Sequence, residues 1–429
     1  MRLSFGRAVG NPAVQGTLRT QLRFHYPRIT EVAFTDDTVE VVGEGLDEAE
    51  LSAFVQRVTR TFAALPNVPM RVRYDSAARP APGAWVPSHD AEAFDAAARS
   101  LAADLEEAAA DRPARRTPEV GSRPAGRGLN VYGHDEASLH RVLDHFLRRY
   151  FQRAYGAQEL RVPSMIPTAV VDRAGYIETA RQHLSFVSPL DPAPGPFEEF
   201  LPYWRETASQ GSARDAGIHA YLGIPRDVLN PALCLHCYPL LESTVVTEAT
   251  PAVLTLTGSC FRDESGNLNH AERLREFAMR EAVVVGTPET VDRVHGELAD
   301  FMIAAAELLG LDFRLESATD IFFNDGAPQL LFSQLLSDNK FELAVQDPAT
   351  GQSVATASLN KHQTHFTEPF GMKTEDGRPA VSLCVGFGID RLALALVRGA
   401  AGRRAPVLES LRDAVVEHLA TRSGPGGTR

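Results

Sequence analysis

Two stretches of this sequence that read as neighbouring strands carry charged and aromatic side chains at alternate positions. Arg262 and Glu264 lie two residues apart and Phe277 and Glu281 lie four apart, so the members of each pair share a strand face. Phe277 and Glu281 would stand roughly 13 Å apart, close to the length of a nucleotide from its base to its α-phosphate. The aromatic ring would stack on a purine, Arg262 would hold a phosphate or carboxylate, and Glu264 would accept from a base amino group. The alternative is a charged hairpin with one packed Phe.

A second stretch, Val385-Gly-Phe-Gly-Ile-Asp-Arg391, leads from a predicted strand into a predicted helix. Its two glycines would let the backbone approach a ligand closely, and Arg391 would lie near the positive end of the helix, where anions bind. The pattern lacks the third glycine of the GxGxxG dinucleotide-binding turn. An ordinary strand-to-helix turn is the alternative interpretation.

The cysteines and one polar stretch are further candidates for chemistry. Cys234-Leu-His-Cys237 looks like half of a zinc knuckle, but no second pair of ligands follows nearby, so a four-ligand site would need partners from distant parts of the chain. Cys260 and Cys384 stand alone, and a buried cysteine often serves only as a small apolar side chain. The stretch Asn360-Lys-His-Gln-Thr-His-Phe366 is dense in polar side chains and predicts either a loop or the lining of a site.

Composition excludes several classes of protein. The chain has 429 residues, of which 44% are apolar and 23% charged, so it can bury a sizeable core and is not intrinsically disordered. Its formal net charge of −12 argues against a general nucleic-acid binder. No apolar run is long enough to cross a membrane, and the four cysteines are too few for a disulfide scaffold. We therefore expect a cytoplasmic protein with free thiols and no membrane contact.

The elements that must position these residues divide the chain into four parts. Residues 1–75 predict a small α+β module that ends in a closing strand, and residues 76–128 predict a linker with one acidic surface helix, Asp90–Ala110. Residues 129–420 have strands separated mostly by loops and hairpins, with few βαβ units, which predicts an α+β domain with an antiparallel sheet flanked by helices. Residues 421–429 predict a flexible tail.

Taken together, these segments resemble the three motifs of the class II aminoacyl-tRNA synthetases, in the same chain order. The segment around Pro163, after a predicted amphipathic helix, resembles motif 1, which forms the dimer interface in that superfamily. Cys260-Phe-Arg-Asp-Glu264 through Arg273-Leu-Arg-Glu-Phe277 resembles motif 2, and Gly386-Phe-Gly-Ile-Asp-Arg391 resembles motif 3. The resemblance implies the class II synthetase-like fold and a homodimer.

A narrower resemblance is to the bacterial amino acid:[carrier protein] ligases, which are seryl-tRNA-synthetase-like enzymes related to the atypical, zinc-dependent archaeal seryl-tRNA synthetases. It covers about residues 130–400 and does not extend to residues 1–110. The segments that carry it are Pro231-Ala-Leu-Cys-Leu-His-Cys-Tyr-Pro239, Met279-Arg-Glu281, Gly286-Thr-Pro-Glu289 and Asn360-Lys-His-Gln-Thr-His-Phe366.

This family resemblance implies a zinc ion, with the ligands Cys237, Glu281 and Cys384. Three protein ligands leave one position of a tetrahedral zinc open, and that position would take the α-amino group of a substrate amino acid. Asn360, as a polar neighbour of that amino acid, favours a small substrate such as Gly, Ala or Ser. Cys234 and Cys260 have no counterpart in the family and are interpreted as structural.

The resemblance also implies an ATP site in which Mg²⁺ bridges the phosphates. Arg262 and Arg391 would be the catalytic arginines, because in-line attack by a carboxylate on the α-phosphate needs positioning and charge stabilisation more than proton transfer. Arg262 would hold the α-phosphate and the substrate carboxylate, and Arg391 the γ-phosphate. The other ATP-binding residues would be Glu264 at the adenine amino group, Phe277 under the adenine, Arg273 at the outer phosphates, and Glu342 with Asn360 as the nearest polar groups to Mg²⁺.

The implied function is a two-step ligase, which activates a small amino acid with ATP to an aminoacyl-adenylate and then transfers it to the phosphopantetheine thiol of a carrier protein. A seryl-like tRNA ligase is the alternative. The sequence shows neither a long heptad-bearing N-terminal arm nor a basic tRNA-binding segment, which argues against this alternative. The atypical seryl enzymes, however, also have an N-terminal domain that is not a coiled coil. A catalytically silent paralogue is disfavoured because the motif arginines and zinc positions are present. The N-terminal module would recruit a carrier protein, a tRNA or a pathway partner, or stabilise the dimer.

Overall fold

The computed structural model of the chain describes most of its length. The described residues are 2–4, 12–35, 38–62, 71–78, 87–111, 121–209, 211, 217–269, 271–319, 338–347, 351–400 and 406–423. Parts of the predicted linker and of the predicted C-terminal tail lie outside these residues. None of the described helices is long and apolar enough to cross a membrane.

The N-terminal residues form a small module of three antiparallel strands and two helices. Its elements are β1 (Arg2–Ser4), α1 (Pro12–His25), β2 (Ile29–Phe34), β3 (Thr38–Gly43) and α2 (Glu48–Phe62), with the strands in the order β1-β3-β2. Helix α2 begins where the Asp47 carboxylate accepts hydrogen bonds from the backbone of Ala49 and Glu50. Its apolar side chains recur at helical spacing and are buried, so the module has a core of its own.

An eight-stranded sheet forms the centre of the rest of the chain. Its strands are β4 (Val72–Asp75), β7 (Gln158–Arg161), β12 (Ala252–Phe261), β13 (Glu276–Gly286), β14 (Phe313–Ser317), β15 (Lys340–Gln346), β16 (Ser353–Gln363) and β18 (Val381–Gly388). They lie in the order β4-β14-β15-β16-β18-β13-β12-β7, and all neighbours are antiparallel except β7 and β12. The structure thus confirms the α+β class with a mainly antiparallel sheet.

Five helices cover one face of this sheet. They are α3 (Ala91–Ala110), α4 (His134–Tyr155), α9 (Pro288–Leu308), α10 (Ile389–Ala400) and α11 (Val407–Ser423), and a short hairpin, β5 (Arg123–Gly126) with β6 (Leu129–Val131), precedes α4. Their apolar stripes and the helix-facing side chains of the sheet form the largest buried cluster of the protein. The opposite face of the sheet is left for smaller elements and for the site described below.

Those smaller elements come mainly from the long connection between β7 and β12. They are β8 (Met165–Pro167), α5 (Thr168–Arg173), α6 (Tyr176–Ala180), β9 (Phe186–Val187), α7 (Pro194–Glu206), β10 (Asp227–Leu229), α8 (Cys237–Leu240) and β11 (Val245–Val246), which pairs with β17 (Lys373–Thr374). A one-turn 3₁₀ helix, Leu233–His236, precedes α8. A second buried cluster, which includes all four cysteines, joins this connection to the sheet.

Two expectations from the sequence are wrong in detail. Helix α3 is not a surface helix in a linker, because Phe94, Leu101 and Leu105 are fully buried against α4 and α11. Strand β4, expected to close the N-terminal module, instead pairs with β14 at the edge of the central sheet. In both cases the partner lies far away in the sequence, so local patterning could not reveal it.

A fully buried arginine ties the helix layer to the centre of the sheet. Arg280 of β13 donates two hydrogen bonds to Asp144 of α4, at 2.8 and 2.7 Å, and lies 3.7 Å from a carboxylate oxygen of Glu159. We expect Arg280→Met to lower the free energy of unfolding by about 3 kcal/mol, because Asp144 loses its partner in a largely buried setting. Urea denaturation measures this. An Arg280→Met, Asp144→Leu double variant should regain much of the loss, and a single variant as stable as wild type would contradict the assignment.

His295 of α9 makes stability depend on pH. Burial, with the charges of Lys361 and Arg73, lowers its pKa to about 4, while Asp292 and Asp338 oppose this. The unfolded chain therefore binds more protons between pH 6.5 and 4, so stability is lost as the pH falls through that range. A fall from the usual 6.5 to about 4 corresponds to about 3 kcal/mol. We expect the free energy of unfolding, measured by urea denaturation, to fall less for His295→Gln than for wild type when the pH is lowered from 7 to 4.5. An equal fall in the two proteins would contradict this role of His295.

Candidate active site

Three central strands direct polar side chains and glycines to the face of the sheet that the five helices leave uncovered. Glu281 of β13 lies opposite Gly386 of β18, and Asn360 of β16 lies opposite Cys384 of β18. Residues opposite each other share a face, so Glu281, Cys384 and Asn360 lie on one surface, as predicted for the amino-acid end of the site. A Cβ at Gly386 would lie 2.9 Å from Met279 Cε, so glycine lets the Met279 side chain lie close against β18.

A group of three buried side chains on this surface has the chemistry of a metal site. One ligand atom from each of Cys234, Glu281 and Cys384 lies within 4.8 Å of the others. The backbone N–H of Cys234 donates to Glu281 Oε2 at 2.8 Å, and the Cys384 thiol donates to the same oxygen at 3.5 Å. Two thiols and a carboxylate are a donor set that suits Zn²⁺.

The first thiol of this group differs from the prediction. The family resemblance implies Cys237 as the ligand and leaves Cys234 as structural, whereas among the described residues it is Cys234 that lies with Glu281 and Cys384. Cys237 is buried at the start of α8, where burial, with Cys234 and Glu281 nearby, raises the pKa of its thiol. In a 3₁₀ helix, residues three apart lie on the same side, so the spacing alone could not distinguish the two cysteines.

The electrostatics of the group favour a cation. Burial raises the pKa of Glu281, although the N–H of Cys234 and the charge of Arg262 oppose the rise. The hydrogen bond with Cys234, followed by burial and the Glu281 charge, raises the pKa of the Cys384 thiol. Ionising these groups next to one another is therefore costly unless a positive ion neutralises them. The three residues fit a bound divalent cation.

The nucleotide end predicted from the sequence also comes together. The guanidinium carbon of Arg262 lies 5.5 Å from the centre of the Phe277 ring, and its Nε donates to the carbonyl of Pro231 at 3.0 Å. Glu264 forms an ion pair with Arg273. Burial alone would raise the pKa of Glu264, but the charges of Arg273, His183 and Arg262 and the hydrogen bond from Arg273 together lower it, so the carboxylate stays ionised.

Arg391 lies in the first turn of α10, and its guanidinium reaches the loop that carries Arg273. Its Nε donates to the carbonyl of Glu272 at 2.7 Å and its Nη1 to that of Ala355 at 2.9 Å. Burial and then the charge of Arg273 lower the pKa of Arg391. Neither hydrogen bond neutralises its charge, so the guanidinium is held in place with its positive charge available to an anion.

Glu342, which the family resemblance places near Mg²⁺, has a neighbouring carboxylate that was not predicted from the sequence. Glu342 of β15 lies opposite Glu316 of β14, and forms an ion pair with Lys340 at 3.2 Å. Burial raises the pKa of Glu316; Arg314 opposes this and Glu342 adds to it. Paired carboxylates of this kind suit Mg²⁺, which prefers oxygen ligands.

Other side chains that support the site were given no role from the sequence. Asp390 accepts hydrogen bonds from the backbone of Ala278 at 2.5 Å and from the Tyr132 hydroxyl, and so fixes the start of α10 to β13. In the long connection, the Tyr176 hydroxyl oxygen and His183 Nδ1 are 3.1 Å apart. The charge of His183 is one of the causes that lower the pKa of Glu264. These contacts join residues more than a hundred positions apart or lie in a segment without a motif.

Comparisons with known proteins agree with this geometry. The family model of the tRNA synthetase class II core domain (G, H, P, S and T) matches residues 226–399. Amino acid--[acyl-carrier-protein] ligase 1 of Bradyrhizobium diazoefficiens is 32% identical over 57% of this chain and 72% of the relative. The type-2 serine--tRNA ligase of Methanopyrus kandleri is 30% identical over 66% of this chain and 55% of the relative.

A solved structure matches nearly the whole fold. The crystal structure of M. kandleri SerRS in complex with A. aeolicus tRNASec covers 90% of this chain and 74% of that chain, with a TM-score of 0.60 and 23% identity. The fold likeness therefore reaches into the N-terminal residues, beyond the region of the sequence resemblance. With the class II core domain matched over residues 226–399, and with a carrier-protein ligase matched at 32% identity over 72% of its length, this chain is a ligase that belongs to the amino acid:[carrier protein] ligase family.

Proposed function

We propose that this protein activates a small amino acid with ATP and transfers it to the phosphopantetheine thiol of a carrier protein. The observation that carries the proposal is the layout of β13. Phe277, with Arg262 beside it, lies near the start of the strand, and Glu281, in the Cys–Glu–Cys group, lies four residues further along the same face. A nucleotide at the first end and an amino acid at the second would meet near Arg262.

The amino-acid end combines a metal-type donor set with a glycine and a polar side chain on the neighbouring strands. Cys234, Glu281 and Cys384 would hold Zn²⁺, which when bound supplies a Lewis-acid position for the substrate α-amino group. Gly386 lies opposite Glu281, and Asn360 lies opposite Cys384 in the sheet. These neighbours favour an amino acid with a short side chain, because a larger one would meet the strand surface.

The nucleotide end would orient ATP for attack. The adenine would stack on Phe277, and Glu264 would accept from its amino group once Arg273 turns from Glu264 to the outer phosphates. Arg262 would hold the substrate carboxylate and the α-phosphate together. A carboxylate oxygen of the amino acid attacks the α-phosphorus, the bond from the α-phosphorus to the bridging oxygen of the β-phosphate breaks, and pyrophosphate leaves. Glu342 and Glu316 are the acidic side chains that would hold the Mg²⁺ of the ATP. Arg391 and Arg273 would stabilise the charge that develops on the leaving group.

In the second step the acceptor attacks the carbonyl carbon of the adenylate. The acceptor thiol loses its proton, a thioester forms, and AMP leaves. The names of the relatives support both carrier protein and tRNA as acceptors in this family and its neighbours. The two carrier-protein ligases align over 72% and 70% of their own length, against 55% for the M. kandleri tRNA ligase, which favours the carrier protein. By its motif 1 resemblance we expect a homodimer.

A tRNA ligase is the second candidate, because the fold likeness to M. kandleri SerRS includes N-terminal residues that the sequence resemblance does not cover. An acceptor assay separates the two. Enzyme of measured zinc content is incubated with ATP, labelled amino acid and one acceptor: carrier protein with its phosphopantetheine arm, the same protein without the arm, or total tRNA. We expect label only on the armed carrier protein, released by hydroxylamine. Label on nuclease-sensitive RNA alone would contradict the proposal.

A further inference from the structure

The N-terminal module contacts the loop that joins β12 to β13, residues 262–275, which carries Glu264 and Arg273. Asn267 of this loop donates a side-chain hydrogen bond to the carbonyl of Thr20 in α1 at 3.0 Å. A Cβ built on Gly266 would lie 2.1 Å from the carbonyl oxygen of Arg23, so only glycine allows this close approach. The module is therefore in direct backbone contact with the loop that would bind ATP.

Helix α1 brings positive charge to this contact. Arg19 and Arg23 are four residues apart and so lie on one face of α1. Arg23 is half-buried, and its Nε is buried without a hydrogen-bond partner. Among the parts of the chain that the structure describes, no acidic group forms an ion pair with Arg23. Burial lowers the pKa of Arg23, and so do the nearby charges of Arg273 and then Arg19.

Like charges converge here although the whole chain carries a formal charge of −12. Arg273 is the strongest charged neighbour of Arg23 and also of Arg391. The β12–β13 loop connects these arginines, because its Gly266 lies against the carbonyl of Arg23 and its Glu272, next to Arg273, accepts a hydrogen bond from Arg391. Glu264 pairs with Arg273, and the charges of Glu264 and Glu342 partly offset that of Arg391. Converging arginines with so little compensating negative charge suit a ligand with several phosphates, since a guanidinium binds phosphate oxygens through paired N–H groups.

We propose that Arg23 is an ATP-binding residue contributed by the N-terminal module, and that with Arg273 it holds the outer phosphates of ATP and the pyrophosphate that leaves. The inference rests on the proposed function and adds a residue to its nucleotide site. It gives the N-terminal module a role in the first reaction step: α1 completes the phosphate end of the site and holds the β12–β13 loop that carries Arg273.

Isothermal titration calorimetry tests the assignment without relying on turnover. ATP with Mg²⁺, inorganic pyrophosphate with Mg²⁺, and AMP are each titrated into wild type, Arg23→Ala, Arg23→Gln and Arg60→Ala. Arg60 is the matched control, an exposed arginine of the same module that bonds only within its own helix among the described residues. We expect about tenfold weaker binding of ATP and pyrophosphate in both Arg23 variants, as for loss of one charge-assisted contact, with AMP binding unchanged.

The outcomes separate the two proposals. A folded Arg23 variant that binds ATP and pyrophosphate as tightly as wild type overturns the inference, and equal weakening of AMP, ATP and pyrophosphate overturns it too, because the effect would not be specific to the outer phosphates. Arg23→Gln removes the charge but keeps part of the aliphatic stem and a polar end group, and it provides the test if the alanine variant unfolds. If wild type binds ATP but forms no adenylate with any amino acid, the proposed function fails while the Arg23 comparison still stands.

Discussion

The Cys384→Ala protein is expected to carry no zinc and to form no aminoacyl-adenylate. Cys384 supplies one of the three ligand atoms that lie within 4.8 Å of one another, and its neighbours Cys234 and Glu281 are buried with it. Two remaining ligands hold a divalent cation far less tightly. Loss of an outer partner of a ligand already costs about 10–100-fold in metal affinity or activity, so loss of a ligand should exceed this. Metal analysis of the purified protein and amino-acid-dependent ATP–pyrophosphate exchange measure the two effects.

Matched cysteine variants sharpen this test. Cys260→Ala removes a buried thiol of the same sheet face that lies outside the group, and it should retain both zinc and exchange. Cys234→Ala should behave like Cys384→Ala, and Cys237→Ala should keep its zinc. Loss of zinc from Cys237→Ala but not from Cys234→Ala would favour the ligand set that the family resemblance implies. Full exchange activity in zinc-free Cys384→Ala protein would show that adenylate formation does not need the metal.

Arg391→Ala should lower the rate of adenylate formation by about 10²–10³-fold and leave the zinc content intact. The guanidinium is fixed by two backbone carbonyls and has no acidic partner among the ion pairs of the described residues, so its charge is directed to a ligand. Arg391→Lys should restore only a small part of the rate, because lysine keeps the charge without the planar fork. Single-turnover formation of the adenylate is the direct readout.

Arg293→Ala is a suitable control for this variant, since Arg293 is exposed and pairs only with Glu297 on its own helix among the described contacts. It should have the wild-type rate. Thermal unfolding of Arg391→Ala shows whether the lost carbonyl contacts disturb the fold. If Arg391→Ala loses zinc as well as activity, the start of α10 would be misplaced relative to the amino-acid end of the site.

The site face of β13 was predictable from the sequence because a strand has a fixed period of two. Phe277 and Glu281 had to share a face, and the structure has Arg262 beside the first and Cys384 beside the second. The choice between Cys234 and Cys237 was not predictable in this way, since one turn of 3₁₀ helix brings both to the same side. Their distances to Glu281 depend on how the turn packs, which is a tertiary property.

The environment of α3 and of the N-terminal module could not be inferred locally either. The sequence of α3 is rich in Ala, Glu and Asp and is typical of an exposed helix, yet its few large apolar side chains are all directed into the core. The contact between α1 and the β12–β13 loop joins residues 247 positions apart, from Thr20 to Asn267. Such contacts depend on the arrangement of whole elements, and neither partner carries a motif for the other.

Adenylate formation by this protein is tested most directly by amino-acid-dependent ATP–pyrophosphate exchange with all twenty amino acids, on protein whose zinc content has been measured. We expect exchange with one or two small amino acids and with no large ones, and we expect Arg391→Ala to lose this exchange. No exchange with any amino acid, from folded and zinc-loaded protein that binds ATP, would contradict adenylate formation and favour a silent paralogue.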